Sequence, residues 1–209
     1  MELPVIRIID DNEVMRKSWI FLLEDESGWE VKAYEDAQDF LEHDDFEKPG
    51  AILLDVRMPK MSGLELQEYL QQISVTLPII FISGHGDIDM AVHVLKRGAV
   101  DFLQKPVDDE RLIEALHMAV QKDLQQRKKQ SDNERLRSQF DTLTTREKEV
   151  IMLAAKGLMN KVIAGQLGIS ERTVQIHRGV GSKKLGAKTS VDLMQILLED
   201  VKNFVSSPI

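Results

Sequence analysis

The chain has 209 residues, is 43% hydrophobic and 30% charged, and contains no cysteine. That composition supports buried cores and excludes disulfide frameworks, thiolate metal sites and wholesale disorder. The net charge of −8 hides an asymmetry: residues 1–121 carry 11 basic against 25 acidic side chains, and residues 122–209 carry 16 against 10. An acidic half joined to a basic half points to two domains with different partners, the basic one suited to nucleic acid.

Short apolar runs at 5–9, 29–33, 51–54, 79–83 and 100–103 alternate with amphipathic stretches at 13–24, 36–43, 63–73, 87–97 and from 108 onward. This alternation predicts an α/β doubly wound, five-stranded parallel sheet covered on both faces. Gly50, Pro59, Gly63, Pro78 and Gly98 punctuate the elements. From Val107 to Lys156 there is neither glycine nor proline. Ile113, Leu116, Val120 and Leu124 recur at helical spacing there, so the fifth helix runs on past Met118. Residues 122–140 read as a solvated helical linker, frayed near 131–133. The alternative, a short dimeric coiled coil, has only Leu124, Leu136 and Phe140 to line it.

Beyond Phe140 no β pattern remains. Helices are predicted at 145–156, 160–167, 170–185 and 190–205, forming a second, smaller all-α domain. Gly157, Gly168 and Gly186 stand where C-terminal caps belong. The expected division is 1–121, 122–140 and 141–209. No apolar run reaches the roughly 18 residues that cross a bilayer. The N-terminus lacks a basic region followed by an apolar one, so it is no signal peptide. These features predict a cytoplasmic protein with no membrane partner.

In a doubly wound sheet, ligands bind at the carboxyl ends of the strands. The first run ends in Asp10 and Asp11, the third in Asp55 and the fourth in Ser83; the fifth leads to Lys105. Adjacent carboxylates about 4 Å apart repel by roughly 4 kcal/mol at an effective dielectric near 20. A hard divalent cation such as Mg²⁺ relieves that repulsion and takes oxygen ligands. Asp55 is then a candidate carboxylate nucleophile for a phosphoryl group, with Lys105 beside the transferring oxygens and Ser83 donating to the acyl phosphate. Each residue also has a plainer reading: Asp10, Asp11 and Asn12 as a helix cap, Asp55 and Ser83 as turn residues, Lys105 as a surface charge. Their joint placement at successive strand ends favours the pocket.

The acidic pair, "LLDVRMPKMSG", "FISGHG" and "VDFLQKP" together resemble the receiver domain of two-component response regulators over residues 3–121. The resemblance implies a flavodoxin-like receiver with Asp55 as phospho-acceptor. It also implies Mg²⁺ on Asp10, Asp11, Asp55 and the backbone carbonyl of Arg57, a switch pair of Ser83 and Phe102, and a cis Lys105–Pro106 bond. The implied phosphodonor is a sensor histidine kinase.

In the basic half, "NKVIAGQLGISERTVQIHRGVGSKKLGAKT" reads as helix, turn, helix. Val162, Ile163, Leu167, Ile169, Val174 and Ile176 space as an internal face, and Ser170 is a plausible N-cap. Residues 157–188 carry Lys161, Arg172, Arg178, Lys183, Lys184 and Lys188 against one acid, Glu171. A second helix with a basic face suits a DNA major groove. With "LTTREKEV" upstream, residues 143–205 resemble the LuxR/FixJ-type helix-turn-helix output domain. By position the resemblance implies base-edge contacts from Gln175, Ile176 and Gly179. Phosphate or flanking contacts fall to Lys161, Arg172, Thr173, Arg178 and Lys184. It also implies double-stranded promoter DNA as partner, RNA polymerase as a further one, and a homodimer formed on phosphorylation. Gly179 and Gly181 depart from a good helix, each costing about 1 kcal/mol relative to Ala. Gly181→Ala is therefore expected to stabilise. The last helix is apolar nearly all round, and a second copy of it is the expected partner for its surplus face.

The expected function is that of a phosphorylation-controlled transcription factor rather than an enzyme. A phosphohydrolase of the haloacid dehalogenase type needs a second Asp two residues after the nucleophile, where this chain has Arg57. His43, His85, His93, His117 and His177 show no metal-ligand spacing. A receiver tethered to a helical protein-binding module is the third reading, and the base excess over 157–188 opposes it.

Overall fold

The computed structural model describes residues 2–24, 28–84, 88–189 and 191–196. The chain divides into two compact units, Met1–Arg127 and Lys128–Ile209.

The first unit alternates strand and helix. Its strands are β1 (Val5–Ile9), β2 (Glu30–Tyr34), β3 (Gly50–Asp55), β4 (Ile79–Ser83) and β5 (Asp101–Gln104). Its helices are α1 (Glu13–Glu24), α2 (Ala37–His43), α3 (Gly63–Gln72), α4 (Ile88–Lys96) and the start of α5 (Asp109–Asp141). All strands are parallel, in the order β2-β1-β3-β4-β5. β1, β3 and β4 are buried along their whole length, as continuous apolar runs demand when helices cover both faces. One core layer joins Ile6, Ile8, Leu53 and Ile82 to Trp19 and Leu23 of α1 and to Leu112, Leu116 and Ala119 of α5. The opposite layer joins Ile9, Leu54 and Phe81 to Phe40, Leu66, Leu70 and Val94 of α2, α3 and α4. Between β1 and β3 the strand order reverses direction, which opens a crevice at their carboxyl ends.

Two glycines fix the ends of β3. At Gly50, with φ +147°, a Cβ would lie 1.9 Å from the Val5 carbonyl oxygen. At Gly63 a Cβ would lie 2.3 Å from the Asp55 carbonyl oxygen, so only glycine lets α3 start hard against the end of β3. Ser62 and Glu65 complete a capping box there.

Arg7 lies in the middle of the apolar strand β1 and is fully buried. Its Nε donates to Asp44 Oδ2 at 2.6 Å, Nη1 to the Val5 carbonyl at 3.2 Å, and Nη2 to the carbonyls of Asp45 at 2.8 Å and Lys48 at 3.0 Å. Tyr34 Oη donates to the other oxygen of Asp44 at 2.6 Å. From α5, Arg127 reaches the same loop, donating to the Glu47 carbonyl at 2.6 Å and the Phe46 carbonyl at 3.1 Å. Asp123 Oδ2 accepts from Arg127 Nε at 2.8 Å and from the Gly50 N–H at 2.9 Å. Two arginines thus hold the 44–49 loop at the amino end of the sheet.

α5 continues well past Met118, as its spacing predicts, and runs unbroken through 131–133, where fraying was expected. Its first part is buried in the receiver core on one face through Asp123, and beyond Arg127 the side chains are mostly polar and suit a solvated helix. The second unit adds α6 (Thr145–Ala155), α7 (Asn160–Leu167) and α8 (Glu171–Lys184). Gly157, Gly168 and Gly186 all take positive φ just after these helices, as predicted. Phe140, Val150, Ile151, Ala154, Ile163, Val174 and Leu193 form its core. Phe140 is therefore used within this unit rather than kept for a coiled-coil seam. Residues 191–196 are helical, with Leu193 buried and Val191 and Met194 exposed. The rest of the predicted last helix lies outside the described residues.

Candidate functional site

The crevice between β1 and β3 brings together Asp10, Asp55 and Lys105. The Lys105 ammonium donates to Asp10 Oδ2 at 2.8 Å and to Asp55 Oδ1 at 2.7 Å. Asp55 Oδ2 accepts the Arg57 N–H at 2.8 Å, and Asp10 Oδ1 accepts the Asn12 N–H at 2.9 Å. Asp10 and Asp55 are 3% and 9% exposed. Burial pushes the Asp55 carboxyl above its ordinary range, and nearby Asp10 adds to this; Lys105 and the Arg57 N–H pull it back without cancelling the rise. Burial draws the Lys105 ammonium down, but its bonds to Asp10 and Asp55 outweigh that and hold it above its usual value. One cation between two buried carboxylates leaves the cluster net negative.

Register explains the meeting. β3 and β4 pair Asp55 with Ile82, and β4 and β5 pair Ser83 with Gln104. Ser83 thus stands one step beyond Asp55 on the next strand, and the Lys105 N–H bonds the Ser83 carbonyl at 2.8 Å. Ser83 is buried. Phe102 is half-buried against the α2–α4 core layer. The Lys105–Pro106 bond is cis, as the resemblance implies.

Asp11 is not drawn in; it is exposed. The capping reading applies to Asn12 alone, whose Oδ1 accepts the N–H groups of Val14 at 3.0 Å and Met15 at 3.2 Å. Asp10, Asp11, Asp55 and the Arg57 carbonyl offer only hard oxygen donors, a set suited to Mg²⁺ rather than to a soft metal. Among the described residues no group of three His, Cys, Asp or Glu is arranged to hold a metal ion.

Arg16 was missed from sequence: its Nη1 donates to the Asp10 carbonyl at 2.7 Å. The signal was there, since a cation in the first turn of a helix opposes the dipole and calls for a local anion or carbonyl.

In the second unit, α8 starts at an N-cap, where Ser170 Oγ accepts the Thr173 N–H at 3.1 Å. Lys161, Arg172, Gln175, Ile176 and Gly179 are exposed, and Thr173 is half-buried. Ile176, at 57% exposure, and Val162, at 39%, do not belong to the internal face proposed for them. Ile163 and Val174 do. Arg178 is half-buried and donates to Asn160 Oδ1 of α7 at 2.8 Å. Lys184 turns inward, donating to Glu147 Oε2 at 2.7 Å and the Thr142 carbonyl at 3.1 Å. Glu147 also closes the capping box of α6 with Thr144. Gly181 corrects an expectation. It is buried, and a Cβ there would lie 2.6 Å from Ile151 Cγ1 and 2.9 Å from its Cδ1. Ile151 is itself fully buried, so Gly181→Ala overpacks the core and destabilises it.

Residues 6–117 match the response regulator receiver domain family, and residues 141–197 match the bacterial regulatory proteins of the luxR family. The chain belongs to the two-component response regulators. Nodulation protein W of Bradyrhizobium diazoefficiens is 41% identical to the regulator over 192 residues, covering 92% of this chain and 84% of its own. Transcriptional regulatory protein FixJ of Rhizobium meliloti is 39% identical over 193 residues, covering 92% and 94%. The solved structure of response regulator StyR matches with a TM-score of 0.83 at 40% identity, over 95% of this chain and 100% of that one. Full-length FixJ from B. japonicum matches with a TM-score of 0.58 at 33% identity, over 95% and 98%. The regulator therefore joins a receiver to a LuxR-type DNA-binding domain and acts as a transcription regulator. The family implies a sensor kinase and DNA as its partners. Among the described residues no helix is long and apolar enough to cross a membrane.

Proposed function

We propose that the regulator takes a phosphoryl group on Asp55 from the phosphohistidine of a sensor kinase, and that this modification controls DNA binding by α8. The observation that carries the reading is Lys105, held between Asp10 and Asp55 at the strand-order reversal. In the step, an Asp55 carboxylate oxygen bonds to phosphorus as the phosphorus–nitrogen bond of the donor breaks; the donor ring, protonated on its other nitrogen, keeps that proton and the bonding pair and leaves as neutral imidazole. Lys105 is positioned to balance the charge on the phosphoryl oxygens, and Ser83, one step along the neighbouring strand, to hydrogen-bond the product. Asp10, Asp11, Asp55 and the Arg57 carbonyl would hold Mg²⁺, which supplies charge neutralisation when bound. Ser83 and Phe102 would carry the change to the receiver surface as a shift between two populations. In the output unit, Lys161, Arg172, Thr173 and Arg178 face the phosphates while Gln175, Ile176 and Gly179 face base edges. Lys184, committed to Glu147, supports the helix instead.

We take the receiver to run through Arg127, a few residues past the expected boundary at 121, with 128–140 as linker and 141–209 as output domain, acting in the cytoplasm as a regulator rather than an enzyme. Phosphorylation favours a homodimer whose half-sites lie about 10 base pairs apart, and RNA polymerase is a further partner at the promoter. The test is mass spectrometry after incubation with a small acyl phosphate and Mg²⁺. Wild type gains one phosphate and Asp55→Asn gains none; an unchanged adduct on the variant overturns the assignment. Asp11→Ala is expected to lose Mg²⁺ affinity and Lys105→Ala to keep it. Equal loss in both would show the roles to be misassigned.

A further inference from the structure

Two glycines stand two positions apart in α8, and a glycine inside a helix weakens it relative to alanine. They answer to different causes. Gly181 has no room for a methyl group, because Ile151 occupies the space. Gly179 has open space: a Cβ there would meet no atom within 4 Å, and its backbone is ordinary right-handed helix. Nothing among the described residues requires glycine at 179. A residue that weakens the helix without an internal reason points to a requirement from outside the molecule.

The position of Gly179 says where. At about 100° per residue, Arg172, Gln175, Ile176, Gly179 and Lys183 fall within an arc of about 100°, with Gly179 near its middle. All five are exposed. Along the helix axis the strip is basic at both ends, Arg172 and Lys183, with a bare backbone notch between them at Gly179 and one large apolar side chain, Ile176, one turn before it. In the major groove the exposed apolar feature of a base pair is the 5-methyl group of thymine.

We propose that Gly179 is a specificity-determining residue: its missing side chain lets α8 approach the groove floor closely enough for Ile176 to cover a thymine methyl. This rests on α8 being the DNA-reading helix. The notch trades helix stability for depth of approach. Filling it lifts the helix off the bases while leaving Arg172 and Lys183 to hold phosphates.

The experiment uses the full chain, treated with a small acyl phosphate and Mg²⁺, to select duplexes from a randomised pool. The enriched duplex is then remade with deoxyuridine in place of each thymine in turn. At one or more positions the loss of the methyl weakens wild-type binding about fourfold, the value of one buried methyl group. Ile176→Ala is indifferent to that same replacement. Gly179→Ala melts at a higher temperature than wild type and binds the duplex at least tenfold more weakly. Indifference of the wild type to every uracil, or undiminished binding by Gly179→Ala, overturns the proposal while leaving DNA recognition by α8 intact. A pool that yields no enriched duplex overturns both.

Discussion

The two ends of the receiver sheet both bury charge, and they do so in opposite ways. At the amino end, Arg7 meets Asp44 and three backbone carbonyls, while Tyr34 satisfies the second oxygen of Asp44. Burial, reinforced by Asp44, pushes the Tyr34 hydroxyl well above its ordinary range, so it stays a neutral donor. At the carboxyl end a single ammonium serves two carboxylates, and Asp55 remains harder to ionise than an ordinary Asp. Around Arg7 and Asp44 each charge meets an opposite one, which rigidifies the surroundings; a cluster left short of positive charge is a place for a ligand to complete. The same sheet thus keeps its static electrostatics at one edge and its reactive electrostatics at the other.

Removing the cation from each end is the sharpest trial of that contrast. Arg7→Ala strands Asp44 in the interior and should cost about 3–5 kcal/mol in chemical denaturation of the full chain. A loss below about 1 kcal/mol would abolish the distinction. Lys105→Ala should instead slow phosphorylation by about 10² to 10³-fold, the usual consequence of deleting one charge-stabilising donor, with a smaller stability loss than Arg7→Ala; time-resolved mass spectrometry and denaturation together check this. Asp123→Asn keeps the shape of the amino-end clamp but removes its charge toward Arg127 and Gly50. About 1–3 kcal/mol of stability should go, with phosphorylation kinetics unaltered. The smallest effect belongs to the rim of the carboxyl end, where Asp36 is half-buried. There the Asp36 carboxyl is held below its ordinary value of 3.8 by the Asp39 N–H and then by Lys60. Its folded pKa lies under the unfolded one, so its contribution is complete above pH 3.8 and fades as pH falls through the folded value. Asp36→Asn should flatten the decline of melting temperature in acid; an identical decline would remove Asp36 from the account.

The reactive edge was legible because it is written locally. Asp10, Asp55, Ser83 and Lys105 each close an apolar run, and parallel topology alone brings strand ends together. α1 and α7 run between the residues their periodicity and punctuation indicate. The static edge was not legible, because its partners are far apart in sequence: Arg7 and Asp44 are separated by 37 residues, Gly50 and Asp123 by 73. A lone arginine inside "VIRII" did announce that some partner must exist, but not which. Gly181 misled for a related reason. Helical propensity is a property of one residue, whereas the room for its methyl group is decided by Ile151, thirty positions earlier on α6. Lys184 reads as one more basic charge until Glu147 is placed beside it.

The amino-end clamp also bears on how long the folded receiver lasts. Besides one local bond each, to Val5 and to Asp123, Arg7 bonds to residues 37 to 41 positions away and Arg127 to residues 79 to 81 positions away. Neither guanidinium can leave water profitably until β1, β3 and α5 have come together around the 44–49 loop. We expect the clamp to close after the rate-limiting crossing, with its bonds present in the native state and missing from the transition state. Interactions of that kind slow escape from the native state and leave arrival almost untouched. In stopped-flow experiments Arg7→Lys, which keeps a charge but loses the planar fork, should raise the unfolding rate and leave the refolding rate near that of wild type. Arg7 acts in this sense as a latch on lifetime rather than a guide to the fold.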